Sequence, residues 1–138
     1  MKPRRHARII ALQALFEVDC VGHELQQVLQ HRFEDEELPE EGQAFARNLV
    51  QGVMDHLAEL DQEITRHATE RPLEQAAIVD RNIMRLAAYE ILIARETPLK
   101  VVINEAVELA KTFGSDSSPR FVNGVLGSLA THVEAAGA

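Results

Sequence analysis

Tryptophan is missing from this sequence, tyrosine occurs once, and aromatic side chains make up 4% of the 138 residues. Runs of alternating β-branched residues are equally scarce, whereas Ala, Leu, Glu, Gln and Arg are plentiful, a balance that argues against a sheet-based core and favours helices throughout. The single cysteine, Cys20, excludes an internal disulfide. No apolar run approaches the ~18 residues that mark a membrane span, and the Arg-rich start lacks the apolar segment of a signal peptide. A soluble, cytoplasmic protein without membrane association is the expectation. By length the chain is expected to be one domain over residues 1–138, large enough to bury roughly 70% of the surface that its unfolded form exposes.

One further absence is local. The first sixteen residues contain no acid, yet they carry Lys2, Arg4, Arg5 and Arg8 in a chain whose formal net charge is −8. Such a concentration of positive charge works against self-repulsion unless an anion arrives to meet it, and nucleic acid is the first candidate.

Pro3 suits the first turn of a helix, and residues 4–20 run without a breaker until Gly22. The apolar positions Ile9, Ile10, Leu12, Ala14, Leu15, Phe16 and Val18 cover most of its circumference, so this helix is expected to be central. Leu25, Val28, Leu29 and Phe33 mark a short second helix, which gives way to EDEELPEEG at residues 34–42, read as a solvated loop or helix start. That stretch is expected to divide an N-terminal from a C-terminal group of helices. From about Gln43, the series Phe45, Leu49, Val53, Leu57, Leu60 and Ile64 predicts one helix of over 25 residues up to Arg71, with Gly52 as its weak point and Pro72 as its end. Asp80 is placed as a helix-starting acid ahead of Ile83, Leu86, Ala87, Ile91 and Leu92, and Thr97 and Pro98 are expected to stop that helix. Val102, Ile103, Ala106, Val107, Leu109, Ala110 and Phe113 form the next, closed by Gly114 as a C-cap glycine. Ser118 as N-cap and Pro119 at the first helical position announce the last helix, through Phe121, Val122, Val125, Leu126, Leu129 and Val133. The expected fold class is all-α, a compact bundle of six or seven helices.

Catalytic chemistry finds no foothold. His6, His23, His31, His56, His67 and His132 are scattered with no two at ligand spacing, Cys20 has no partner motif, and neither a P-loop nor a Rossmann glycine pattern occurs. Catalytic, metal and cofactor sites are therefore all expected to be none, and Asp61 and Glu63 are read as solvent-facing charges. Arg4 and Arg8 lie one turn apart with Arg5 beside them, so one helix end can offer several guanidiniums to phosphates; the alternative is a solubilising, frayed terminus. A second cluster sets Lys111, Arg120 and Phe121 around the turn from Gly114 to Ser118, where serines and backbone N–H groups can hold phosphate and an aromatic ring can stack on an unpaired base. For Phe121 the competing reading is a core residue. The two clusters together suggest a single-stranded RNA site.

Four blocks carry a resemblance: RRHARIIALQALFEVD (residues 4–19), LVQGVMDHLAELD (49–61), DRNIMRLAAYEIL (80–92) and PLKVVINEAVELAKTFGSDSSPRFVNGVLGSL (98–129). In this order they closely resemble the NusB family of bacterial transcription antitermination factors. The resemblance implies two helical subdomains and no catalysis. It implies an adaptor that pairs with a NusE-type small-subunit ribosomal protein, binds boxA-type RNA and joins an antitermination complex on RNA polymerase, serving ribosomal RNA operons. By position it implies RNA contacts at Arg4, Arg5, Arg8, Lys111, Ser117, Ser118, Arg120 and Phe121, and partner contacts at Phe16 and Asp80. Three departures stand out. Phe16 lacks the hydroxyl of the tyrosine common in the family, Ser117 stands where a member can carry an acid, and RPLEQAAIV at residues 71–79 lacks an aromatic that often precedes the third block.

The preferred reading is thus a non-enzymatic RNA-binding adaptor whose basic first helix and residues 118–121 form one continuous surface. Two others compete. The chain could be a stand-alone relative of the NusB-like domain of RNA methyltransferases, although 138 residues leave no room for a cofactor domain. It could instead be a helical dimerisation module whose apolar helix faces bury a partner copy while the Arg cluster is decorative; the resemblance implies that some family members self-associate through the surface that otherwise meets RNA, so that a homodimer could be an RNA-occluding storage form.

Overall fold

The computed structural model describes residues 2–137, and among these there are seven α-helices and no strand. They group into two compact units, one running up to Asp55 and the other starting at His56. The division therefore falls after the third helix, not at the acidic stretch before it.

The first unit holds α1 (Pro3–Val21), α2 (Leu25–Asp35) and α3 (Glu40–Asp55). Pro3 occupies the first turn of α1, and Gly22 closes the helix at φ 77°, donating its N–H to the Val18 carbonyl, a left-handed conformation that glycine adopts without steric cost. Small residues on α1, Ala7, Ala11 and Ala14, are fully buried beside Ile10, Leu12 and Leu15, and α1 packs on both α2 and α3. Val28 and Leu29 of α2 and Ala46, Leu49, Val50 and Val53 of α3 complete this core; each large apolar side chain contributes about 1.5–3 kcal/mol by leaving water. The Glu24 carboxylate caps α2, accepting from the Gln26 and Gln27 N–H groups at 3.1 and 2.9 Å. In the acidic stretch, Glu40 and Glu41 open α3 where the helix dipole favours negative charge, and buried Leu38 lies so close to Gly42 that a Cβ there would stand 2.7 Å from its Cδ1.

The second unit comprises α4 (Leu57–His67), a 3₁₀ turn (Leu73–Gln75), α5 (Ile78–Tyr89), a π turn (Glu90–Ala94), α6 (Leu99–Phe113) and α7 (Ser118–Gly137). The single long helix expected from the sequence is thus two, α3 and α4. Its break lies at His56, with φ −121° and ψ 20°, and not at Gly52, which is buried within α3. No proline or glycine announces this break. α5 packs against α4, α6 and α7, and Leu60, Ile64, Ile83, Met84, Ile91, Leu126 and Leu129 are almost completely buried. It ends earlier than expected. The π turn leads to Arg95 at φ 53°, whose N–H reaches the Glu90 carbonyl at 3.0 Å and whose Nε–H donates to the Leu92 carbonyl at 3.2 Å, while Pro98 introduces α6 instead of ending α5. Asp61 is not a free solvent-facing charge, because Arg85 grips both of its carboxylate oxygens; Glu63 pairs with Arg66 at 3.3 Å.

Candidate functional site

In the first unit, the start of α1 is an uncapped helix N-terminus. Lys2 supplies no side-chain hydrogen bond and no acid lies in the first turn, so the unpaired N–H groups and the positive end of the dipole stand beside exposed Lys2, Arg4 and Arg5. Arg4 and Arg8 do share a face: their guanidinium carbons lie 4.6 and 5.1 Å from the Phe45 ring centroid. Their exposure differs. Arg8 is only 5% exposed, so it braces the aromatic ring inside the fold and does not present a cation to solvent as the sequence reading expected. Nearby, His6 Nε2 meets Glu36 Oε1 at 3.1 Å, placing one acid of the 34–42 stretch against α1.

The second cluster is the turn between α6 and α7. Gly114 ends α6 in an extended conformation, not the left-handed one of a C-cap glycine; it is glycine because a Cβ would meet Ser118 Cβ and Oγ at 2.5 Å. Ser118 is fully buried, and its hydroxyl accepts the Ser115 N–H at 2.9 Å. It thus ties the turn back on itself, whereas the Phe121 N–H is taken by the Ser117 carbonyl at 3.1 Å. The expected N-cap role and solvent-facing hydroxyl at 118 do not materialise. Lys111, Ser117 and Arg120 are exposed, with Lys111 Nζ 3.5 Å from Glu108 Oε2, a surface pair of little strength.

Phe121 is 5% exposed, and Arg71 covers its ring at 4.5 Å from the centroid. The core reading therefore holds for this residue in the structure. The exposed ring at the turn is Phe113, at 36%. Sequence periodicity set it on the apolar face of α6; its position as the last residue before Gly114 was the signal that it sits at the helix end. Of the two expected partner contacts, Phe16 is 38% exposed, while Asp80 is 2% exposed in the first turn of α5 and its Oδ1 has no hydrogen-bond partner.

Among the described residues, no group of three or more His, Cys, Asp or Glu side chains is placed to hold a metal ion, and no helix is long and apolar enough to cross a membrane. The site can do what cations, hydroxyls and one exposed ring allow: hold phosphates and stack a base.

Comparison with known proteins agrees with this architecture. The description of the NusB family matches residues 5–131. A transcription antitermination protein NusB of Roseiflexus castenholzii is 52% identical over 128 residues, covering 91% of this chain and 90% of its own length. That of Bacillus subtilis is 42% identical over 131 residues, covering 95% and 97%. Among solved structures, T. maritima NusB superposes with a TM-score of 0.84 at 34% identity, covering 94% of this chain and 92% of that one. A chain from a crystal structure of antitermination factors NusB and NusE in complex with dsRNA superposes at 0.87 with 25% identity, covering 96% and 98%.

Proposed function

The chain belongs to the NusB family, and on that premise we propose that it is a transcription antitermination factor, a cytoplasmic adaptor that binds RNA together with a NusE-type ribosomal protein. It makes and breaks no covalent bond. Its RNA is a boxA-type single strand, and the assembly joins RNA polymerase to favour ribosomal RNA transcription. The observation that carries the residue-level reading is the set of exposed groups on each unit: Lys2, Arg4 and Arg5 at the start of α1, and Lys111, Phe113, Ser117 and Arg120 at the α6–α7 turn. Guanidinium and ammonium groups neutralise phosphates, the Phe113 face receives a splayed base, and serine hydroxyls add neutral donors. Exposed Phe16 is a contact for the ribosomal partner.

Fluorescence anisotropy on a boxA-like RNA and a scrambled control, with and without a NusE-type protein, tests this. The expected result is tighter binding to the boxA-like RNA, strengthened by the partner, with log affinity falling against log salt at a slope of about −2 to −3 for three or four phosphate contacts. Equal binding to both RNAs in both conditions overturns it.

A further inference from the structure

A cleft of about 210 Å³ lies within the second unit, between the end of α4 and the outer face of α7, lined by Arg66, His67, Thr69, Glu70, Arg120 and Ser128 among others. It is smaller than the ~300 Å³ from which small-molecule sites begin, so it suits a fragment no larger than a single phosphate with part of its sugar. Two arginines and two hydroxyl residues line it against one acid, Glu70. Gly124 adds no side chain there, and nothing stands within 4 Å of where its Cβ would be. Arg120 has no ion-pair partner among the described residues and also belongs to the α6–α7 turn, so the cleft continues directly from the basic cluster already described.

The protonation pattern fixes what Ser128 offers. His67 Nδ1 lies 2.8 Å from Ser128 Oγ, while Nε2 is buried with no partner. A buried N–H without an acceptor is costly, so the proton belongs on Nδ1 and is donated to Ser128 Oγ. Burial, and then the neighbouring His132, whose ring centroid is 5.5 Å away, hold the His67 pKa below its ordinary value. Ser128 therefore accepts from His67 and retains its own hydroxyl proton as a donor. It is not spent on the helix backbone, unlike the Thr131 hydroxyl, which donates to the Gly127 carbonyl at 3.0 Å.

We infer that this cleft is a phosphate subsite, receiving one backbone phosphate of the bound RNA between Arg66 and Arg120 with the Ser128 hydroxyl as a neutral donor. The inference rests on the RNA-binding reading and extends the RNA path from the α6–α7 turn along α7. Arg66 is held at the cleft by Glu63, a surface pair that an incoming phosphate displaces at little cost.

The test measures salt-dependent binding of the same boxA-like RNA to Arg66→Gln and Glu70→Gln, both at exposed positions, with circular dichroism as the folding control. Arg66→Gln is expected to weaken binding about 3- to 10-fold at low salt and to lower the magnitude of the log–log slope by about 0.7, one single-strand phosphate. Glu70→Gln removes the only acid of the cleft and is expected to tighten binding about 2- to 3-fold, a gain that a purely structural role would not produce. An unchanged slope in Arg66→Gln overturns the subsite, and if Lys111→Gln still weakens binding, the adaptor function stands without it. If the wild-type protein binds no RNA at all, the broader reading fails and the subsite with it.

Discussion

The Arg71 guanidinium lies 4.5 Å from the centroid of the Phe121 ring and covers one face of a side chain that is otherwise buried. A nucleobase cannot take that face without evicting the arginine. Phe121→Ala is therefore expected to cost about 3–5 kcal/mol of folding stability, the range for a buried aromatic, as read by urea denaturation. Phe113→Ala is expected to leave stability within about 1 kcal/mol and to cost about 1–3 kcal/mol of RNA affinity, the value of one stacked base. The reverse pattern would return the stacking role to Phe121.

The arginines of α1 separate in the same way. Arg4→Ala and Arg5→Ala together are expected to flatten the salt dependence of RNA binding with helical circular dichroism unchanged, because both side chains are exposed. Arg8→Ala is expected to lower stability by about 1–3 kcal/mol, since it withdraws packing and a cation from beneath the Phe45 ring. A thermal melt of Arg8→Ala identical to wild type, accompanied by weaker RNA binding, would make Arg8 a phosphate ligand after all.

Arg85 joins α5 to α4 through two hydrogen bonds to Asp61, Nε to Oδ1 at 2.7 Å and Nη2 to Oδ2 at 2.8 Å. The planar fork matches the carboxylate, which a lysine cannot imitate. Arg85→Lys is expected to lose about 1–2 kcal/mol, and Asp61→Ala with Arg85→Ala, measured as a double-mutant cycle, to show a coupling of about 1–3 kcal/mol. Additive losses would reduce the pair to a surface contact.

Acid should weaken both units, for separate reasons. The folded His67 resists a proton that the unfolded chain accepts near its ordinary value of 6.5, because of burial first and the His132 field second. The unfolded state then binds more protons, so stability is full above about 6.5 and falls as pH drops below it. Glu17 has the opposite local cause and the same direction. The His23 hydrogen bond at 2.9 Å holds its pKa below 4.5, so its contribution is present above that value and is lost as pH falls through the depressed one. Denaturation midpoints between pH 7.5 and 5.5 are expected to fall less in His67→Gln than in wild type. NMR titration of His132→Gln should move the His67 pKa upward; an unmoved value would remove His132 from the account.

The helical architecture was legible because its punctuation is made of residues with strong backbone preferences: Pro3 and Gly22 bound α1, and Pro98 precedes α6. The misses fall where the chain departs from a helix without such a residue. His56 breaks the long third periodicity, and Arg95 takes a left-handed conformation after a π turn, although neither side chain favours it. At the candidate site, residue type was legible and exposure was not. Arg8, Ser118 and Asp80 are polar yet buried, and Phe113 is apolar yet exposed, because burial depends on which helix lies opposite, which a single helix's periodicity does not encode. Arg66 and Ser128 are not legible as neighbours in the sequence for a related reason: 62 positions of chain separate them, and only the packing of α4 on α7 brings them to one cleft.

A Cβ at Gly114 would stand 2.5 Å from Ser118 Cβ and Oγ and 2.8 Å from the Ala110 carbonyl oxygen, so the junction of α6 and α7 has no room for a methyl group. The spacing of Lys111, Ser117 and Arg120 is consequently dictated by a residue that carries neither charge nor side chain. A chain could keep every cation of this edge and still lose its alignment with a nucleic-acid backbone through the addition of one carbon atom at a position that touches no ligand.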